Sequence, residues 1–439
     1  MESSVSFAPT RNRSSPSNIE SRERSFVHLS QAEQAMLAGE AGPGLQMAMR
    51  LLVAVAESED ATHLVGVSAA HIDGCLYHGQ SGIDFARALL EGGARVEVPT
   101  TLNVASIDML HPELYRGDPQ RARKSRELTD VYIELGCIPT WTCAPYQLPG
   151  RPSLGDQIAW GESNAIVFAN SVLGARTNRY GDFIDICCAV TGRAPASGLH
   201  TDVGRLATAQ IDVDVDDAVL DSDIAYPLLG YVIGGLVGSR VPAIVGLDDR
   251  ATEDRLRALG AAAASSGAVA MFHAVGVTPE APDIESASGG REPVERFGVS
   301  KTDLEGARRE LNTGSADLGA VSLGTPHMSL TEIRALAALT GSKTAQVPFY
   351  VNTGRGVLAE AEKEGLTKDL ERFGVTVVTD TCTYITPIMG AIAGSVMTNS
   401  AKWAHYAPAN LGVEVIVGSM AECVISAASG EVLLGEDWE

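Results

Sequence analysis

Short apolar runs, each adjoining a helical or glycine-rich segment, recur along this chain and narrow its possible folds to the α/β classes. "HLVGVSAAHI", "ARVEVPTTLN", "NAIVFANS", "VPAIVGL", "GAVAMFHAVG", "TAQVPFYVNT" and "VTVVTDTC" all read as strand-like. The stretch from Val347 to Cys382 shows the repeating unit best: a strand-like "VPFYVNT", a helix from about Gly356 to Phe373, then "VTVVTDT" ending on a cysteine. That is a βαβ unit, and in such units the loops after strand C-termini gather the reactive groups. Cys75, Cys143 and Cys382 all follow apolar or strand-like runs.

At 439 residues the chain is long for one core, so several packed units are expected. Residues 1–28, rich in serine and arginine, read as a disordered tail; Glu2, Glu20 and Glu23 and the lack of an apolar core argue against a targeting signal. Order is expected from "LSQAEQAMLAGE", where Ser30 can cap a helix and Glu33 can close a capping box. A second amphipathic helix follows, with Leu45, Met49, Leu52 and Val53 on one face. Turn-rich segments near 191–204 and 286–298 divide the rest into a first α/β region over 29–200, a middle one over 201–295 and a C-terminal one over 296–439. A net charge of −22 opposes nonspecific attraction to nucleic acid or anionic membranes. Apolar runs are broken by glycine or polar residues well before the roughly 20 residues needed to cross a bilayer.

Seven cysteines, an odd number scattered through a large chain, argue against a secreted disulfide framework and for a reducing, cytoplasmic setting. Cys143 lies in "TWTCAPYQ" between Pro139 and Pro145, in a loop that proline keeps extended; such a thiol can be a metal ligand or a small buried hydrophobe. Cys382 in "TDTCTYITP" sits just past a strand, where a ligand is more expected than a core residue. Cys75 in "HIDGCLYHGQSG" has His71, Asp73 and His78 beside it, in a loop that either binds or simply packs. Cys137, Cys187, Cys188 and Cys423 lie in apolar surroundings and are assigned to packing. No zinc-ribbon C-x-x-C pair, H-E-x-x-H or Walker loop occurs, and no G-x-G-x-x-G follows a strand, so a nicotinamide cofactor is not supported. By itself "WGESNAIVFANSVLGARTNRYGDF" reads as a solvated helix edge. Arg176, Arg179 and Lys402 are the cations that could hold an anionic substrate on so acidic a chain.

Taken in order, "LSQAEQAMLAGEAGPGLQMAM", "VSAAHIDGC", "VPTTLN", "TWTCAPY", "WGESNAIVFANSVLGARTNRYGD", "PFYVNTGRG", "TDTC" and "TNSAKWAHYAP" resemble the large chain of the aconitase X family. The resemblance implies an aconitase-like fold of several α/β/α domains around a central cleft, with a swivelling domain expected on a separate small subunit. It implies a hydro-lyase whose iron-sulfur cluster, 2Fe-2S or 4Fe-4S, is held by Cys75, Cys143 and Cys382. Where an archaeal, phosphomevalonate-dehydrating branch has Cys-Pro-His, this chain has Thr325, Pro326 and His327, and Cys75 takes the place used in the bacterial hydroxyproline branch. The implied reaction is therefore dehydration of cis-3-hydroxy-L-proline. Lys402 is implied to bind the substrate carboxylate, with Gly74, Asn103, Glu162 and Ser163 as further substrate contacts and His71 and Asp73 as supporting groups. The catalytic base is expected to be a serine of the small subunit, none in this chain.

Overall fold

The computed structural model describes residues 27–435, so most of the expected N-terminal tail lies outside the described residues. The expected capping box opens the first helix, Gln31–Ala38. The Ser30 hydroxyl accepts from the Glu33 amide, the Glu33 carboxylate accepts from the Ser30 amide at 2.8 Å, and the helix stops at Gly39 in a left-handed conformation. The next helix, Pro43–Ser58, buries Ala48, Met49, Leu52 and Ala56, close to the face expected from the spacing.

Three parallel sheets follow. The first has the order Thr100–Leu102, Ala70–Ile72, Ala159–Trp160; the middle one runs His273–Ala274, Pro242–Val245, Ala209–Asp214, Glu295–Ser300. The last, five-stranded sheet runs Val375–Val378, Phe349–Thr353, Leu318–Met328, Ser395–Thr398, Val415–Val417. The strand Leu318–Met328 is buried at every residue but Gly319, apolar in its first half and carrying the buried polar residues Ser322, Thr325 and His327 towards its C-terminal end. The βαβ unit is present, with Phe349 to Asn352 in parallel register with Val375 to Val378.

Several elements depart from the sequence expectation. The run 63–72 is two strands in different sheets: Leu64–Gly66 pairs antiparallel with Arg193–Pro195, while Ala70–Ile72 enters the first parallel sheet. "NAIVFANS" is helical, Ser163–Phe168 continuing into a π-helical turn Ala169–Leu173, because a short buried apolar run does not distinguish strand from helix and the Glu162 cap decides it. The helix of the βαβ unit is two helices, Arg355–Lys363 and Leu366–Phe373, broken at Gly365, whose φ is +78°. The middle sheet also runs past residue 295, since Glu295–Ser300 is one of its own strands.

In the middle region the helices Ala225–Val237 and Glu253–Ser266 pack through Gly230 and Gly234. A Cβ on Gly230 would overlap the Leu259 carbonyl, and one on Gly234 would press on the Ser266 hydroxyl and the Ala263 backbone. Gly235, one residue on, faces open space. Gly230→Ala is expected to lower stability by about 1–3 kcal/mol through overpacking, whereas Gly235→Ala should leave it unchanged or raise it by about 0.5–1 kcal/mol through helix propensity. Urea unfolding midpoints of the two variants check the contrast.

Candidate active site

Each strand of the first sheet delivers a site residue immediately past its C-terminal end. Ile72 leads to Asp73 and Gly74, Leu102 to Asn103, and Trp160 to Gly161, Glu162 and Ser163. Because Ile72 is in register with Leu102 and His71 with Trp160, these residues emerge side by side. The last sheet does the same, with Val378 leading to Thr379, Asp380, Thr381 and Cys382, and Thr398 to Ser400 and Lys402. The two sets of strand ends face one cavity of about 440 Å³, whose wall includes Asn103, Cys143, Glu162, Ser163, Cys382 and Lys402. None of its wall residues comes from the middle region.

The two cysteine loops share a four-residue pattern, Thr140-Trp141-Thr142-Cys143 and Thr379-Asp380-Thr381-Cys382. In each, the second residue is left-handed: φ is +47° at Trp141 and +60° at Asp380. A non-glycine residue in that region is strained and needs its surroundings to hold it. Asp380, wholly buried, is held by the Arg355 guanidinium at 2.6 and 2.7 Å and by the Met109 amide at 3.0 Å, while its carbonyl accepts from the Ala105 amide. Asp108 accepts from both the amide and the hydroxyl of Thr379, at 2.8 and 3.0 Å. Those bonds sew the 104–111 loop of the first region to the Cys382 loop of the last.

The result places the thiols of Cys143 and Cys382 beside His327, with one donor atom from each residue all within 4.8 Å of one another and all three residues buried. The Cys143 sulfur also accepts from the His327 amide at 3.3 Å. Burial works against ionisation of Cys143, but the hydrogen bond from the Cys382 thiol, with His327 and Lys402 nearby, brings its pKa down to about 6. Cys382, as the donor in that hydrogen bond and itself buried, is pushed up. Of the two sulfurs, Cys143 is the one whose surroundings favour the thiolate. The His327 ring is already engaged on both nitrogens, by the Thr142 hydroxyl at 3.1 Å and the Thr381 carbonyl at 3.1 Å. From the middle region, Arg257 donates to the Pro326 and His327 carbonyls at 3.1 and 2.6 Å.

Beside the sulfurs, Lys402 donates to Glu162 at 2.6 Å, both side chains buried. Burial opposes the lysine charge, yet Glu162 raises its pKa well above the ordinary value. Glu162 also caps the helix Ser163–Phe168 through the Ala165 amide at 2.9 Å and accepts from Asn164, whose amide bonds the Cys143 carbonyl at 3.0 Å. Gly161 leaves no room for a side chain, since a Cβ there would crowd Asp73 and Asp185. Burial, with the charges of Glu162 and Asp182, pushes Asp73 up to about 8.

Descriptions of the first, second and third domains of aconitase X match residues 26–203, 207–309 and 318–429. The chain belongs to the aconitase X family. It is 44% identical over 404 residues to a cis-3-hydroxy-L-proline dehydratase of Pseudomonas aeruginosa, covering 91% of this chain and 69% of that protein. It is 36% identical over 384 residues to the phosphomevalonate dehydratase large subunit of Thermococcus kodakarensis, covering 87% of this chain and 95% of that one. The crystal structure of the Thermococcus kodakaraensis aconitase X holo-form superposes with a TM-score of 0.83 at 34% identity, over 91% of this chain and 100% of that chain. The α/β fold is thus that of aconitase X.

Within this aconitase X cavity the structure brings together Asn103, Glu162, Ser163, Lys402, Cys143 and Cys382, and leaves Cys75 and Gly74 behind the wall. The Cys75 thiol donates to the Ile72 and Asn103 carbonyls at 3.3 Å each, and burial, then the charge of Asp73, pushes its pKa well up. It stands outside the close trio, where His327 takes the third position. The Gly74 amide points to Asp185 at 3.4 Å, and a Cβ there would meet the Tyr132 hydroxyl. The 162–179 segment is largely buried, Asn164, Asn170 and Thr177 included, so it is not the solvated edge it resembles in isolation. Arg176 pairs with Asp202 at 2.6 Å, and Lys402 is a buried partner of Glu162 rather than a surface lysine. The cysteines assigned to packing, 137, 187, 188 and 423, are buried in apolar clusters. His327 is not among the expected site residues, although its segment, Thr325-Pro326-His327, stands where the resemblance puts a Cys-Pro-His in another branch; the repeated Thr-x-Thr-Cys is the signal that pairs the two cysteine loops.

Arg355→Met would leave the buried Asp380 carboxylate without its cation. Stability should fall by about 2–3 kcal/mol, measured by urea unfolding, and a thiol reagent should reach Cys382 faster than in the parent chain.

Proposed function

We propose that this chain is the large catalytic component of an iron-sulfur hydro-lyase that dehydrates cis-3-hydroxy-L-proline to 1-pyrroline-2-carboxylate. The observation that carries the reading is the buried Cys143–Cys382 pair, opening on the same cavity as the Lys402–Glu162 pair. The substrate assignment is supported by relatives named cis-3-hydroxy-L-proline dehydratase at 44% and 42% identity, against 36% for the phosphomevalonate large subunits. It is supported too by the small number of Lys and Arg side chains in the cavity wall, Lys402, already paired with Glu162, and Arg179, where a phosphate would need several.

The donors fit such a cofactor. Adjacent soft sulfurs in a buried pocket, with Cys143 favoured as the thiolate, are what iron-sulfur centres take. Cys143 and Cys382 would be two ligands, and Cys75 the third once its thiol leaves the Ile72 and Asn103 carbonyls, since Asn103 and Val104 line the cavity. Bound there, the cluster would supply a Lewis-acidic iron that makes a hydroxyl β to a carboxylate a better leaving group.

The chain's own residues bind and orient. Lys402 provides a fixed positive charge for the substrate carboxylate, and Glu162 keeps that ammonium protonated in the interior. Ser163, within 3.4 Å of Lys402, offers a hydroxyl next to it. Gly161 lets the strand end that carries Glu162 pack directly against Asp73 and Asp185. Tyr384 and Tyr406, stacked at 5.9 Å, form an apolar side of the cavity and limit water. The α-proton is assigned to a base on a small swivelling-domain partner that closes the cavity, a reading supported by relatives named large subunit that this chain covers at 95% and 98%. A reducing, cytoplasmic setting is supported by seven free cysteines; among the described residues no helix is long and apolar enough to cross a membrane.

A second reading, a zinc site, is favoured by one observation, the Cys143, Cys382 and His327 donor set. Anaerobic co-purification with the small partner separates the two. The iron-sulfur reading expects a brown complex containing iron and sulfide that converts cis-3-hydroxy-L-proline and not 5-phosphomevalonate. A colourless zinc protein would overturn it. Cys143→Ser and Cys382→Ser should each lower turnover by about 100-fold or more with loss of iron, Cys75→Ser should also lose iron, and Cys423→Ser should keep both.

A further inference from the structure

Asp185 stands wholly buried in the first turn of the helix Ile184–Thr191, and the reaction as described gives it no task. A buried carboxylate is costly unless its oxygens are satisfied. Among the described residues no cation pairs with Asp185, and its hydrogen bonds come from backbone amides. One oxygen accepts from the Ile186 amide of its own helix at 2.6 Å. The other accepts from the Asp73 amide at 2.7 Å and the Gly74 amide at 3.4 Å, both in the loop that leads to Cys75. The helix is entered through Phe183, whose φ of +80° is strained backbone for a bulky residue. Gly161 makes the room for the carboxylate, since a Cβ there would lie 2.7 Å from it.

These bonds complete a frame around Cys75. The Asp73 carbonyl accepts from the Leu76 amide at 3.1 Å, closing a turn with Cys75 inside it, and the Tyr77 amide donates to the Ser106 hydroxyl at 3.0 Å. Backbone before Cys75 is thus fixed to the helix through Asp185, and backbone after it to the 104–111 loop through Ser106. The thiol is held less firmly, as a weak donor to the Ile72, Asn103 and Val104 carbonyls at 3.3, 3.3 and 3.7 Å. What is free to turn is the Cys75 side chain and not its loop.

We propose that Asp185 is the positioning residue of the third cluster thiolate: by holding the Asp73 and Gly74 amides it fixes the Cys75 backbone, so that rotation of the side chain alone carries the sulfur from the carbonyls to the cluster. This rests on the function proposed above, in which Cys75 is the third ligand, and adds to it the group that sets where that ligand stands.

Asp185→Asn keeps the size of the side chain but has a single acceptor oxygen, so its NH2 must face either the Asp73 and Gly74 amides or the Ile186 amide. The test compares complexes purified anaerobically with the small partner, by the rate at which a chelator strips iron and by the electron paramagnetic resonance spectrum after reduction with dithionite. Asp185→Asn should lose iron about tenfold faster than the parent and show a shifted spectrum. Gly161→Ala, which presses a methyl group onto the Asp185 carboxylate, should move both readouts in the same direction and serves where Asp185→Asn does not assemble. Val190→Ala, a buried packing change in the same helix, should lower the urea unfolding midpoint and leave both readouts at the parent values. Parent-like iron loss and spectrum in Asp185→Asn and Gly161→Ala, or an equal change in Val190→Ala, would each overturn the proposal. The two readings fail separately. Iron lost from Cys75→Ser but kept as in the parent by Asp185→Asn sinks the positioning role alone, and iron that depends on Asp185 in a complex that does not turn over cis-3-hydroxy-L-proline sinks the reaction alone.

Discussion

The buried ion pair between Lys402 and Glu162 is the constraint on which the rest of this architecture depends. Removing each charge from water costs several kcal/mol, and the interior returns that only when the partners meet with good geometry and their remaining hydrogen-bonding capacity is used. Here it is used: one Glu162 oxygen takes the lysine, the other takes the Asn164 side chain and the Ala165 amide. Glu162 belongs to the first region and Lys402 to the last, so satisfying the pair and closing the two regions on each other are one event. The sulfurs follow from it. Asn164, oriented by Glu162, holds the Cys143 carbonyl, and Lys402 favours the Cys143 thiolate.

A second device sets the distance between the sulfurs. Neither cysteine loop is relaxed, since Trp141 and Asp380 hold left-handed backbone that neither residue prefers. At Cys382 the compensation is explicit in the Arg355 pair and the Asp108 bonds to Thr379. At Cys143 it comes from packing, Trp141 being almost fully buried in the core of the first region. The middle region puts no residue in the cavity wall, yet Arg257 fixes the carbonyls of Pro326 and His327 behind the sulfurs. Its role at the site is to position rather than to touch.

Much of this was legible in the sequence, for identifiable reasons. Residues that lie past strand ends announce themselves by following apolar runs, which is why Cys75, Cys143 and Cys382 could be singled out, whereas Asn103 rests on the resemblance to aconitase X. The capping box at Ser30 is local chemistry and reads directly. What did not read were properties that depend on distant partners. "NAIVFANS" is helical because Glu162 caps it, and Glu162 is fixed by a lysine from the far end of the chain. The polar residues of 162–179 look solvated until their partners are known: Asn170, for example, bonds the Thr177 and Ala270 backbones. His327 carries no local sign of proximity to cysteines that other strands deliver.

The charge of the whole chain bears on the same site. A net charge of −22 surrounds the molecule with a field that repels polyanions and is indifferent, at long range, to a zwitterion. A protein built to capture a phosphorylated acid would have to overcome that field with unpaired cations at the mouth of its cavity. This one neutralises its buried lysine internally, and the other arginine or lysine of its wall, Arg179, is set against Asp182 in the same wall. Attraction at a distance therefore contributes nothing to selecting the substrate. Selection has to come from short-range contacts, and a cavity whose buried cation stands beside the two sulfurs, fixed there by Glu162, is organised to make them.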